Sequence, residues 1–186
     1  MQDLNALAAE IHAANSHWWH DPASGERLDR NKGELLMLVV SEIAEAMEGE
    51  RKDLMDDHLP HRKMAEVELA DVLIRVFDFA GGFGYDLDGG RLLLGQPGPF
   101  NPFNDPKGRL LWDLVYRVQD VGAYAMCRGT EAQTSRALAS VVEGVVQYAD
   151  YFGYDVWGAV AEKRAYNANR ADHKAEARLA ANGKKW

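Results

Sequence analysis

The chain predicts an all-α protein: a four-helix-bundle core made of two tandem helical hairpins, with further helices at the N- and C-terminal ends. Three observations carry that expectation. Apolar residues recur with a period near 3.6 along most of the 186 residues, while alternating β-type runs are scarce. Glycine and proline clusters cut the periodic pattern into pieces of ordinary helix length. Finally, Phe83-Gly84-Tyr85-Asp86-Leu87 recurs as Phe152-Gly153-Tyr154-Asp155-Val156, a degenerate internal repeat.

A first helix is expected over Leu4 to Asn15, ending at the aromatic cluster His17-Trp18-Trp19-His20. Asp21-Pro22-Ala23-Ser24-Gly25 then reads as a loop. Asn31 is a suitable N-cap with Glu34 as its capping-box partner, and the helix it starts should run to about Arg51. His58 to His61, with Pro60 inside, is a connection. A third helix covers roughly Met64 to Ala80 and should stop at Gly81-Gly82, where glycine can take the left-handed cap. Asp88 to Gly108 holds four of the six prolines and reads as a linker. Two more helices fit Leu110 to Cys127 and Thr134 to Tyr151, with breaks at Gly129 and Gly153. The last helix starts near Asp155 and carries Lys163 to Arg170, and Ala175 to Trp186 is mixed in character. The whole of 1–186 is expected as one domain: hairpin one about 31–87, linker 88–108, hairpin two about 109–156, and a C-terminal segment 157–186.

The repeat offset also aligns Ala70 with Ala139, Val72 with Val141, Val76 with Val145 and Ala80 with Ala149. Upstream, Leu35-Leu36-Met37 matches Leu110-Leu111-Trp112 at a slightly different offset. Each half then reads as an αα-hairpin, and two hairpins make a bundle.

Bulk properties exclude several classes. A formal charge of −8 argues against a general nucleic-acid binder, which needs a basic face. No apolar stretch is long enough to span a bilayer, and Met1-Gln2-Asp3-Leu4-Asn5 does not open a signal peptide, so no membrane partner is expected. Cys127 is the single cysteine, which rules out an intrachain disulfide and suits a cytoplasmic setting.

The chemistry lies in two acidic doublets, Glu42-x-x-Glu45 and Glu68-x-x-Asp71. Residues three apart share one side of a helix. At about 100° per residue, Glu42 and Glu45 fall beside Leu35, Leu38 and Val39, on the side expected to face the core. Glu68, Asp71 and Arg75 form a narrow polar stripe on a helix that is otherwise apolar nearly all round. Four converging carboxylates would repel, and a hard divalent cation resolves that repulsion while leaving places for phosphate oxygens. The doublets do not survive the duplication. Glu68 and Asp71 align with Ala137 and Ser140, and Glu42 and Glu45 with Arg117 and Asp120. One metal site per chain is therefore expected, with the second half supplying packing.

These doublets, separated by a charged connector, resemble the signature of the all-α nucleoside triphosphate pyrophosphohydrolases, the MazG-like and dimeric dUTPase superfamily. Leu38 to Glu48 and Glu68 to Arg75 read like that family's helices, and Lys163-x-x-Tyr166-Asn167-x-x-Arg170 is similar to its phosphate-contacting segment. The resemblance spans about Asn5 to Arg170, with Asp88 to Gly108 unmatched. It implies Mg²⁺-dependent hydrolysis of a nucleoside triphosphate to a monophosphate and pyrophosphate, as house-cleaning of a pyrimidine deoxynucleotide. It further implies that Glu42, Glu45, Glu68 and Asp71 hold Mg²⁺, with Glu45 as general base. Lys163 and Arg170 would stabilise phosphate charge, Tyr166 and Asn167 would position sugar or phosphate, and Asn15, Trp18 and Trp19 would contact the base.

Plainer readings stay open at this point. Lys163 and Arg170 can belong to a basic helix surface, and one Trp can be core with the other under a loop. The six histidines show no zinc spacing. A non-catalytic Mg²⁺- or nucleotide-binding regulator is the main alternative. A di-iron bundle needs Glu-x-x-His pairs, which these helices lack. A homodimer is compatible with the family, although the duplication can supply within one chain what relatives achieve with two.

Overall fold

The computed structural model describes residues 2–95 and 106–184. The described residues form eight α-helices: α1 (Leu4–Ala14), α2 (Lys32–Lys52), α3 (Met64–Phe83), α4 (Leu87–Leu92), α5 (Lys107–Ala123), α6 (Glu131–Phe152), α7 (Val156–Asn167) and α8 (Ala175–Leu179). No strand is present among them, in keeping with the all-α expectation, and the only extended pairings are the isolated bridges His20–Arg27 and Met55–Lys63. Nor is any of these helices long and apolar enough to cross a membrane.

The bundle core is α2, α3, α5 and α6, with α2 against α3 and α5, and α6 against α5 and α3. α3 occupies the centre because its sequence is apolar on nearly every side. It buries Val67, Leu69, Val72, Leu73, Val76 and Phe77, and packs against α1, α2, α6 and α7. Local chemistry sets the boundaries. Asn31 Oδ1 accepts from the amides of Gly33 and Glu34 to start α2, and the reciprocal capping box forms at Thr130–Gln133 to start α6.

Two expectations need correction. Gly81 and Gly82 do not end α3, which runs on to Phe83 and takes its left-handed cap at Gly84, φ 76°. The pair is there for close approach. A Cβ at Gly81 would lie 2.7 Å from the Ala8 carbonyl oxygen, and one at Gly82 would lie 2.3 Å from the Trp19 ring. The 88–108 linker also begins as structure. Asp88 to Leu92 belong to α4, which packs on α6, and α5 starts at Lys107. Residues 96–105 of that segment lie outside the described residues.

The repeat is carried by matched interactions. Gly84 and Gly153 both cap helices at φ 76° and 75°, and Asp86 and Asp155 N-cap α4 and α7 through the amides of Gly89 and Gly158. The amide of Asp86 donates to Ser135 on α6, as that of Asp155 donates to Glu66 on α3. Lys32 sits over Phe83 and Tyr85, as Lys107 sits over Phe152 and Tyr154. One consequence decides the site. α4 leaves the first hairpin to pack on α6 of the second, and α7 leaves the second to pack on α3 of the first. The second half therefore supplies more than packing, because α7 brings Lys163 to the carboxylates.

Candidate functional site

α2 and α3 lie side by side with their acidic stripes facing one cleft of about 400 Å³. One carboxylate oxygen from each of Glu42, Glu68 and Asp71 lies within 4.8 Å of the others. Glu42 and Glu68 are buried and Asp71 is half-buried. Two cations balance them. Arg75 Nε donates to Glu42 Oε1 at 2.6 Å, and Lys163, a residue 3 % exposed, sets its ammonium 2.8 Å from Asp71 Oδ2.

Burial acts first on these acids. It pushes Glu68 up to about 8, opposed by Lys163 and reinforced by the negative charges of Asp71, Glu42 and Glu45. Asp71 is raised for the same reason, with Lys163 again opposing. Desolvation lowers the Lys163 ammonium, but Asp71, its hydrogen bond and Glu68 outweigh it and the net shift is upward.

A pH dependence follows. Glu68 keeps its proton in the fold between its ordinary 4.5 and about 8, while the unfolded chain loses it. The native state then binds the extra proton, so metal-free stability falls as pH rises through that window. A divalent cation held by Glu68 would have to displace the same proton, so its affinity should rise over the same range. Thermal melts with and without chelator from pH 5 to 9 check both. A metal-induced stabilisation independent of pH would contradict the assignment of Glu68.

The other residues singled out from the sequence fall into three groups. Glu45 lines the cleft, but from an exposed position one turn from Glu42 and outside the three-oxygen cluster. Asn15, Trp18, Asn167 and Arg170 also line the cleft. Tyr166 is not among the residues lining the cleft; its ring lies 4.7 Å from that of His58 and 5.9 Å from the Arg170 guanidinium. Trp19 is 2 % exposed, and its Nε1 donates to both carboxylate oxygens of Asp78, at 3.0 and 3.1 Å. That places it in the core, as the plainer reading of one Trp had it.

Several cleft residues were not singled out as contacts. Arg30 and Lys184 bring positive charge, and His58 is carried on the connection between α2 and α3. Asp56 Oδ1 holds that connection by accepting from the amides of His58 and Leu59. Asp78 extends the α3 stripe by two turns and had a legible signal, since it falls seven residues after Asp71. Arg30 and Lys184 had none, because they reach the cleft only through the folding of loops.

The donor set suits a hard cation. Three carboxylate oxygens are the ligand type a hard divalent cation takes, and Glu42, Glu68 and Asp71 would close in from their present spread to hold one. Comparison with family models, curated proteins and solved structures found no match to this chain. The fold and site thus define an all-α helical protein with a buried acidic cluster, Glu42, Glu68 and Asp71, that could hold a metal ion.

Proposed function

We propose that the chain is an all-α nucleoside triphosphate pyrophosphohydrolase of the MazG-like and dimeric dUTPase type, using Mg²⁺ to convert a pyrimidine deoxynucleoside triphosphate to its monophosphate and pyrophosphate. The observation that carries the proposal is a cleft with an acidic floor and a cationic rim: Glu42, Glu68 and Asp71 converge on one point, and Lys163, Arg75, Arg170, Arg30 and Lys184 line the same cleft. A metal triphosphate needs both signs of charge close together, and an acidic cluster alone would repel it.

Glu42, Glu68 and Asp71 would hold the metal, which when bound supplies charge neutralisation at the phosphates and polarisation of the reacting phosphorus. Lys163, freed from Asp71 if the metal takes that carboxylate, would offer its ammonium to the phosphates. Arg170 is paired with Asp172 at 2.9 and 2.8 Å and can trade that carboxylate for a phosphate. Glu45, beside the cluster but outside it, would take the proton of an attacking water. Cleavage between the α- and β-phosphates consumes one water and releases pyrophosphate.

Incubation with a panel of nucleoside triphosphates and Mg²⁺ tests the reading. Pyrophosphate and monophosphate should appear in equal amounts, without orthophosphate. Nucleotide binding with no turnover of any member would favour the non-catalytic regulator instead.

A further inference from the structure

Arg62 stands one residue before Lys63, the N-cap of α3, and its backbone is fixed within the connection from α2. Its amide donates to the Leu59 carbonyl at 2.8 Å, and its own carbonyl accepts from the Asp56 amide at 3.0 Å. A guanidinium carries five N–H donors, and in Arg62 all five are answered. Nε and Nη2 fork onto the Glu162 carboxylate at 3.1 and 2.8 Å. Nη2 also donates to Asp155 Oδ2 at 3.3 Å, and Nη1 to Glu66 Oε1 at 2.6 Å and the Asp155 carbonyl at 3.2 Å.

Of these acceptors only Glu66 lies on α3. Asp155 caps α7, and Glu162 lies in the second turn of that helix. His61 adds a contact to Glu162 at 2.7 Å, and the His58 ring lies 4.7 Å from that of Tyr166. The connection therefore grips α7 at its cap and again further along. Two fixed points set both the rotation of a helix and its position along its axis. Lys163 directly follows Glu162, about 100° round the helix, and meets Asp71. A slip of one residue would carry it about 1.5 Å along the axis and about 100° around it, off the carboxylates.

The Lys163–Asp71 pair cannot supply that precision once a metal takes Asp71. An anchor that survives the exchange must not draw on the metal-binding carboxylates. Arg62 meets that condition, because none of its acceptors is Glu42, Glu68 or Asp71. Its charge matters as much as its bonds. Without it, Glu66 on α3 would face Asp155 and Glu162 of α7, and attachment would turn to repulsion.

We propose that Arg62 is a positioning residue for the phosphates: its hold on Asp155 and Glu162 keeps Lys163 at the site after the metal has taken Asp71. This rests on the nucleotide reading given above. Two measurements on Arg62→Met, in protein whose melting curve shows it folded, test it. The first needs no turnover. Acylation of Lys163 by a water-soluble succinimidyl ester, read by mass spectrometry, should rise several-fold over the parent protein, where Lys163 is buried and paired. The second is a mutant cycle with Lys163→Met. Arg62→Met alone should lower kcat for the Mg²⁺ triphosphate by about 100-fold, the cost of misplacing a group by about 1 Å. It should cost little more when Lys163 is already Met, since one acts through the other. Glu162→Gln removes the charge at the fork and leaves Arg62 its bonds to Glu66 and Asp155. It should show both effects in smaller measure, and it serves where Arg62→Met does not fold. Unchanged Lys163 labelling, or losses that multiply in the double variant, would overturn the positioning role while pyrophosphate release by the parent protein stands. A parent protein that cleaves no triphosphate would overturn both readings.

Discussion

Asp71→Asn and Glu68→Gln, near-isosteric changes one helical turn apart, should both abolish turnover yet move metal-free stability in opposite directions. Asp71 is the carboxylate partner of Lys163, a buried residue whose ammonium is 2.8 Å away. Neutralising it strands a buried cation, a change that costs about 3 kcal/mol even with Glu68 left to compensate in part. Glu68 is different. Burial and three neighbouring carboxylates resist its ionisation, so replacing it with a neutral amide removes repulsion above pH 8. Calorimetric melts at pH 9 with chelator should show Asp71→Asn below the parent protein and Glu68→Gln above it. With Mg²⁺ at pH 7.5, each should lose more than the roughly 10- to 100-fold that loss of an outer metal partner costs. Retained activity in both would mean the cluster is not the metal site, and equal melting shifts would refute the electrostatic account.

Trp19→Ala should cost about 4 kcal/mol of stability, the range for truncating a buried aromatic, without changing the KM of the molecules that remain folded. Trp19 fills a slot that Gly82 leaves open, meets Phe83 edge-on at 5.2 Å, and ties its indole nitrogen to Asp78. Arg27 and Arg30 stand over its ring at 5.9 and 5.8 Å. Removing the ring opens a cavity and also deprives Asp78, already raised by burial, of a hydrogen bond that favours its charge. Trp18 should behave in the opposite way. It lines the cleft, with the Arg178 guanidinium 4.6 Å over its ring and His173 edge-on at 5.1 Å. Trp18→Ala should therefore raise KM at small cost in stability. Denaturant melts and steady-state kinetics on the pair decide it: a raised KM with unchanged stability in Trp19→Ala would return that residue to the ligand.

The acidic cluster was legible because its cause is local. Residues three apart on a helix face the same way whatever else the chain does, and an apolar surround marks that face as interior. Gly81-Gly82 shows where local reasoning misleads. A glycine pair reads equally as a helix stop or as a place for close approach, and only the Ala8 backbone and the Trp19 ring pressing on it distinguish the two. The aromatic pair was ambiguous for a similar reason. Trp18 and Trp19 are neighbours with the same chemistry, and a single 3₁₀ turn sends one into the core and leaves the other on the cleft.

Period, caps and repeat by themselves determined an all-α chain, two hairpins and the helical faces bearing Glu42, Glu45, Glu68 and Asp71. The helical faces and caps arise from interactions within a turn or two of helix, and the hairpins are read from the repeated sequence itself. Tertiary structure alone decided that α7 crosses onto the first hairpin to set Lys163 against Asp71, and that Glu45 stands apart from the three converging oxygens. Such arrangements depend on how whole helices pack rather than on any spacing along the chain.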